Sequence, residues 1–145
     1  MAESKGRAIL VAAGALLGAC AASDPKTSPR LLDQYEQPGF LTGFCRWNVD
    51  RTMPVERIRG TFLMADEHAP DSLALVEGEI PIGIPRGIYP IAYPKGQRSR
   101  FTSQLYAEAA GKVEVSGKLA FGDVTCPGNF SSASFSGVLL LDQLH

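Results

Sequence analysis

Histidine is the first shortage: the 145 residues contain two, His68 and His145, and that removes most imidazole-based chemistry. No serine lies in a G-x-S-x-G turn, neither H-E-x-x-H nor an EF-hand loop occurs, and there is no glycine-rich phosphate loop. C-x-x-C is missing as well, which excludes the usual redox-active pair. The apolar run at residues 8–19 is about 12 residues long, against the roughly 20 that a membrane-spanning helix requires. Charge of one sign is also lacking. Fourteen basic and fifteen acidic residues leave a net −1, so nothing global attracts nucleic acid or a strongly anionic surface. The fifteen glycines and ten prolines that are present point to a turn-rich fold, and the length suits one domain.

The N-terminus reads as an export signal. "MAESKGR" sets Lys5 and Arg7 against Glu3, the apolar run follows, and small and polar residues close it. The run ends in Leu17-Gly18-Ala19-Cys20, which resembles the lipobox of bacterial lipoprotein precursors. That resemblance covers roughly the first 20 residues. It implies cleavage before Cys20, a diacylglycerol on its sulfur and acylation of the new α-amino group, with signal peptide 1–19. More than one acyl chain gives stable anchoring where a single chain does not. Ala21 follows the cysteine in place of the inner-membrane retention residue Asp, so the class rule implies the outer membrane, with the domain facing the periplasm.

Residues 20–39 carry three prolines, mixed charge and few large apolar side chains, the composition of a flexible tether. Leu31, Leu32 and Tyr35 are placed to form a short helical turn that docks on the domain. From residue 40 to 145 the pattern changes to short runs separated by turn chemistry. The expectation is an all-β domain, a small antiparallel sandwich or barrel of about seven strands. One strand is expected to end at "DRTMP", residues 50–54. A β-hairpin is expected where residues 101–108 and 112–121 both alternate with period 2 about Ala110-Gly111. "IPIGIPRGIYPIAYP", residues 80–94, holds four prolines and reads as an edge strand or polyproline-like crossover.

With Cys20 committed to lipid, Cys45 and Cys126 remain, and in an oxidising compartment they are expected to form a disulfide. The bond brings the ends of the domain together, which favours a closed barrel or compact sandwich.

Catalytic candidates are thin. His68 stands among Asp66, Glu67 and Asp71 without ligand spacing and reads as a solvated turn; Glu77 and Glu79 read as one wet strand face. His145, the last residue, is expected to fray. Asn129-Phe130-Ser131 matches a glycosylation acceptor that a bacterial lipoprotein does not normally use. Arg86, Lys95, Arg98 and Arg100 cluster in sequence near Tyr89 and Tyr93, a basic aromatic surface suited to a membrane or protein partner. The chain therefore reads as a lipid-anchored, non-enzymatic binding or accessory subunit of an envelope complex. It has no cofactor or metal, a protein partner in the envelope and no nucleic acid. The alternative is a small-ligand carrier or inhibitor-like β-barrel, for which Gly117, Ala133 and Gly137 leave interior room.

Overall fold

The computed structural model describes residues 29–40, 43–67, 69–76, 80–108, 111–127 and 132–145. In chain order the elements are α1 (Pro29–Leu32), β1 (Gly39–Phe40), β2 (Gly43–Phe44), β3 (Arg46–Leu63), β4 (Ser72–Leu75), β5 (Gly87–Ala92), α2 (Arg98–Ala107), β6 (Lys112–Pro127) and β7 (Ser132–Leu144). The all-β class holds. Five of the strands form a closed barrel in the order β3-β4-β5-β7-β6, while β1 and β2 make a separate two-stranded hairpin. Of the expected antiparallel sandwich or barrel of about seven strands, the seven-strand sandwich is not observed: the barrel has five strands, and its β5–β7 pairing is parallel.

β3 closes the barrel because it is long and bent. Its last residues pair with β4 (Thr61↔Ala74), and almost its whole length pairs with β6, from Arg46↔Thr125 to Thr61↔Lys112. The expected break at residues 50–54 does not occur. Pro54 lies within the strand opposite Lys118, and the turn-like residues are absorbed by register shifts at Val49/Arg51 and Val55/Ile58. At the second shift Arg57 takes a positive φ of 47°, and its amide donates to Ser116 Oγ at 2.9 Å. Gly122 serves the facing bulge of β6. Its φ is +146°, and a Cβ there would stand 2.3 Å from the Asn48 carbonyl oxygen.

Period-2 alternation fills the barrel. Phe62, Leu73, Leu75, Ile91, Val115, Leu119, Leu139 and Leu141 point inward and are essentially fully buried. α2 packs on this core through Phe101 and Leu105. The hairpin expected over residues 101–121 is therefore half wrong: 112–121 is strand, but 101–108 lies mostly in α2. The buried residues Phe101, Thr102 and Leu105 sit at i, i+1 and i+4, one helical face, although Phe101, Ser103 and Leu105 also alternate. Gln104, Leu105 and Ala107 are strong helix formers, and that preference prevails.

The proline-rich stretch also differs from expectation. Pro90 lies inside β5, between β4 and β7. Ile91 N–H donates to the Asp71 carbonyl at 2.8 Å, so ladder alternation leaves Ser72↔Pro90 without hydrogen bonds on the β4 side. The ring nitrogen of Pro90 faces β7, where parallel pairing begins only at Ile91↔Leu139. No ladder bond is lost.

Residues 29–39, assigned to the tether from composition, lie against the domain. α1 is the anticipated helical turn, and Leu31, Leu32 and Tyr35 pack on Ala92, Ala120, Val138 and Leu140. Those wall residues alternate with the inward ones, so this second apolar cluster lies outside the barrel. Backbone bonds hold the strap: Glu36 N–H to the Tyr93 carbonyl at 2.8 Å and Lys95 N–H to the Gln34 carbonyl at 3.0 Å. The Cys45–Cys126 disulfide, as expected, is buried in the same cluster. Cys20 and the signal 1–19, His68, Glu77, Glu79 and the motif at residues 129–131 lie outside the described residues.

Candidate functional site

Asp71 immediately precedes β4, its side chain is 1% exposed, and a carboxylate so deeply buried needs donors. Four parts of the chain converge on it. Ala65 N–H, from the β3–β4 loop, donates to Oδ1 at 2.8 Å. The Tyr93 hydroxyl, just beyond β5, donates to Oδ2 at 2.9 Å. The Tyr106 hydroxyl, in the last turn of α2, reaches both oxygens at 3.1 Å. Arg98 Nη2, in the first turn of α2, stands 3.6 Å from Oδ2, and its guanidinium lies 5.8 Å from the Tyr93 ring centre. Burial first, and the Asp71 charge second, push the Tyr93 hydroxyl well above the usual tyrosine range and raise that of Tyr106. Both therefore remain protonated donors at neutral pH.

This hub forms one wall of a pocket of about 500 Å³. Tyr93, Tyr106 and Arg98 line it on the barrel side, and Glu36 and Gln37 of the N-terminal strap line the other together with Phe44 of β2. Phe44 is 65% exposed and Tyr106 37%, so two aromatic rings stand open to solvent beside the same cavity. Glu36 is held in place by the Gly96 amide, which donates to its carboxylate at 3.0 Å. A larger depression, about 580 Å³, contains Arg59, Lys112, Glu108 and Glu114, charges of both signs without a Phe, Tyr or Trp ring.

Of the basic residues singled out in the sequence, three share one turn. Lys95 lies in the β5–α2 connection, Arg98 joins the Asp71 hub, and Arg100 lies 4.8 Å from the Phe101 ring centre while donating to Gln97. Arg86 precedes β5, at the other end of that strand.

His145 does not fray. Its backbone N–H donates to the Glu114 carbonyl at 2.9 Å, and its Nε2 lies 2.7 Å from Ser116 Oγ. Since Ser116 also accepts the Arg57 amide of the β3 bulge, the imidazole orients the hydroxyl that caps the bent backbone. No sequence spacing announces that contact, because 29 residues and a strand pairing separate the partners. Asp71 was legible only as a neighbour of His68, and Phe44 and Tyr106 carried no signal beyond being aromatic.

Among the described residues no group of three or more His, Cys, Asp or Glu side chains is arranged to hold a metal ion, and no helix is long and apolar enough to cross a membrane. The chain matches no protein-family model, no curated protein and no solved structure.

Proposed function

We propose that this protein is an outer-membrane lipoprotein, anchored through acylated Cys20 and facing the periplasm, that serves an envelope complex as a non-enzymatic binding or accessory subunit. The observation that carries the binding part is the open aromatic pocket over buried Asp71: exposed Phe44 and Tyr106 rings flank polar groups already fixed by hydrogen bonds. A closed five-stranded barrel with a helix between its third and fourth strands reads as a Greek-key barrel of the OB type, an architecture that serves widely as a scaffold for ligand-binding loops and faces.

The docked strap bears on the anchor. Only residues 21–28 stand between Cys20 and Pro29, and fully extended they span about 30 Å. The domain is therefore held near the headgroups and not on a long lead. The carrier alternative draws little from the barrel interior. A Cβ at Gly117 would stand 2.1 Å from the Leu140 carbonyl oxygen, and one at Gly137 would stand 3.2 Å from the Tyr89 ring. Ala133 packs in the cluster outside the wall.

Native mass spectrometry of the protein extracted from its own membranes tests the reading. A mature chain that starts at Cys20, bears acyl mass and retains a companion is the expected result. An unacylated chain starting at Ala22 or Ser23 overturns the anchor. A companion retained equally by Phe44→Ala removes the pocket from the function.

A further inference from the structure

We infer that the pocket between the N-terminal strap and α2 binds an uncharged saccharide. This rests on the reading of the protein as a non-enzymatic binding subunit and names the chemistry that the subunit recognises. A pyranose ring presents two kinds of surface: a C–H face, which rests on an aromatic ring, and equatorial hydroxyls, each both donor and acceptor. The pocket offers both counterparts. Phe44 and Tyr106 supply ring faces that water already reaches, so their cover by a sugar releases water from apolar surface. Around them stand planar polar side chains, the carboxylate of Glu36, the amide of Gln37 and the guanidinium of Arg98, which can accept from and donate to paired hydroxyls. Glu36 and Arg98 are each fixed by a contact of their own, to Gly96 and to Asp71, so little side-chain freedom is lost on binding.

Charge selects against the other ligands that an arginine usually suggests. The guanidinium of Arg98 is already matched by Asp71, and Glu36 adds a second carboxylate, so the site as a whole is not cationic. Phosphates and uronic acids find no unpartnered cation among the lining residues to draw them in. The pocket's volume of about 500 Å³ suits one or two rings.

The test is calorimetric titration of the mature, detergent-extracted protein in a detergent without a sugar headgroup. Three probes are used: chitohexaose, maltohexaose and the anionic hexagalacturonate. The expected result is saturable binding of a neutral hexamer and none of hexagalacturonate. Phe44→Ala should weaken that binding about tenfold or more while thermal unfolding stays unchanged, because the ring is mostly exposed. Glu36→Gln should weaken it less. Absence of binding by both neutral hexamers overturns the inference, as does binding that Phe44→Ala leaves intact or tighter binding of the anionic probe. If the saccharides fail while a protein companion in the envelope is still lost with Phe44→Ala, the ligand class falls and the binding reading stands.

Discussion

Two apolar clusters hold this domain, and they are built differently. The inner one is the barrel core, made by residues that alternate along every strand and meet around a common axis, with Phe101 and Leu105 of α2 packed on it. The outer one lies against the back of the wall formed by β5, β6 and β7, where Ala92, Ala120, Val138 and Leu140 take small or branched side chains. It is completed by Tyr35, Leu31 and Leu32 from a strap and fastened by the Cys45–Cys126 disulfide. The first cluster is stabilised by burial within a closed ladder; the second depends on keeping one distant segment in place. The candidate pocket lies where the two systems meet, with Glu36 from the strap, Phe44 from β2, and Tyr93 and Tyr106 from the barrel side. A binding site shared in this way is assembled only when the strap is docked.

The contrast breaks most sharply at Phe62. It is fully buried and packs 5.9 Å from the Tyr106 ring, so Phe62→Ala should cost about 4 kcal/mol of unfolding free energy in a denaturant titration. A loss under 1 kcal/mol would mean that the barrel interior is not the main source of stability. Next is the outer fastening. Cys45→Ser with Cys126→Ser removes a cross-link over a separation of 81 residues, and a cost of about 3 kcal/mol is expected. Because the barrel ladder does not pass through the disulfide, far-ultraviolet circular dichroism of the variant should still report β structure below its lowered midpoint. Equal collapse of both clusters would show that the strap is integral to the fold.

The two clusters were not equally readable. Period-2 alternation located β6 and β7 because each strand carries its own instruction: Val113, Val115 and Leu119 must share a face whatever lies opposite. The Cys45–Cys126 pair followed from the export signal and an even remainder of cysteines. Residues 101–108 misled because Phe101 and Leu105, four apart, satisfy both a helix and a strand. β3 misled because Asp50, Thr52 and Pro54 are turn formers locally, and their extended course is set by the ladder to β6, from Arg51↔Phe121 to Pro54↔Lys118, which the local sequence does not record. Pro90 shows the same limit, since its place in a paired strand depends on where the parallel contact to β7 starts. The pocket was least legible of all. Its acid, its rings and its strap come from four stretches of chain, and nothing in any one of them records that they meet.

A milder variant sharpens the comparison at the outer cluster. The Tyr35 hydroxyl, within its buried ring, donates to Asp142, whose other oxygen binds Lys118 Nζ at 2.7 Å. Tyr35→Phe keeps the packing and removes the bond to Asp142 together with the long one the hydroxyl accepts from Lys118 Nζ at 3.4 Å, so a loss of about 1 kcal/mol is expected, with no change in chitohexaose affinity. If affinity falls by as much as for Phe44→Ala, the strap positions the pocket through this bond, and the two systems are more tightly coupled than their contacts suggest.

The smallest effect is alkaline, and it distinguishes the clusters by proton count. Tyr93 and Tyr106 in the hub and Tyr35 under the strap all have hydroxyls raised above the ordinary value near 10, chiefly by burial and then by Asp71 or Asp142. In the unfolded chain they release protons near pH 10; in the folded protein they hold them beyond it. The unfolded state then carries fewer protons, so stability falls with rising pH. Stability should therefore be level from pH 7 to 9 and decline above 10, Tyr93 and Tyr35 each contributing a little under about 1 kcal/mol of loss by pH 10.5 and the more exposed Tyr106 less. Tyr93→Phe should remove one share of that slope, and Tyr35→Phe another. Urea unfolding at pH 8 and 10.5 reads both. If Tyr93→Phe leaves the alkaline slope as steep as before, the hub hydroxyl ionises as freely as a solvated one. Asp71 would then be reached by water, and the wall of the proposed pocket would be wetter and less fixed than its hydrogen bonds indicate.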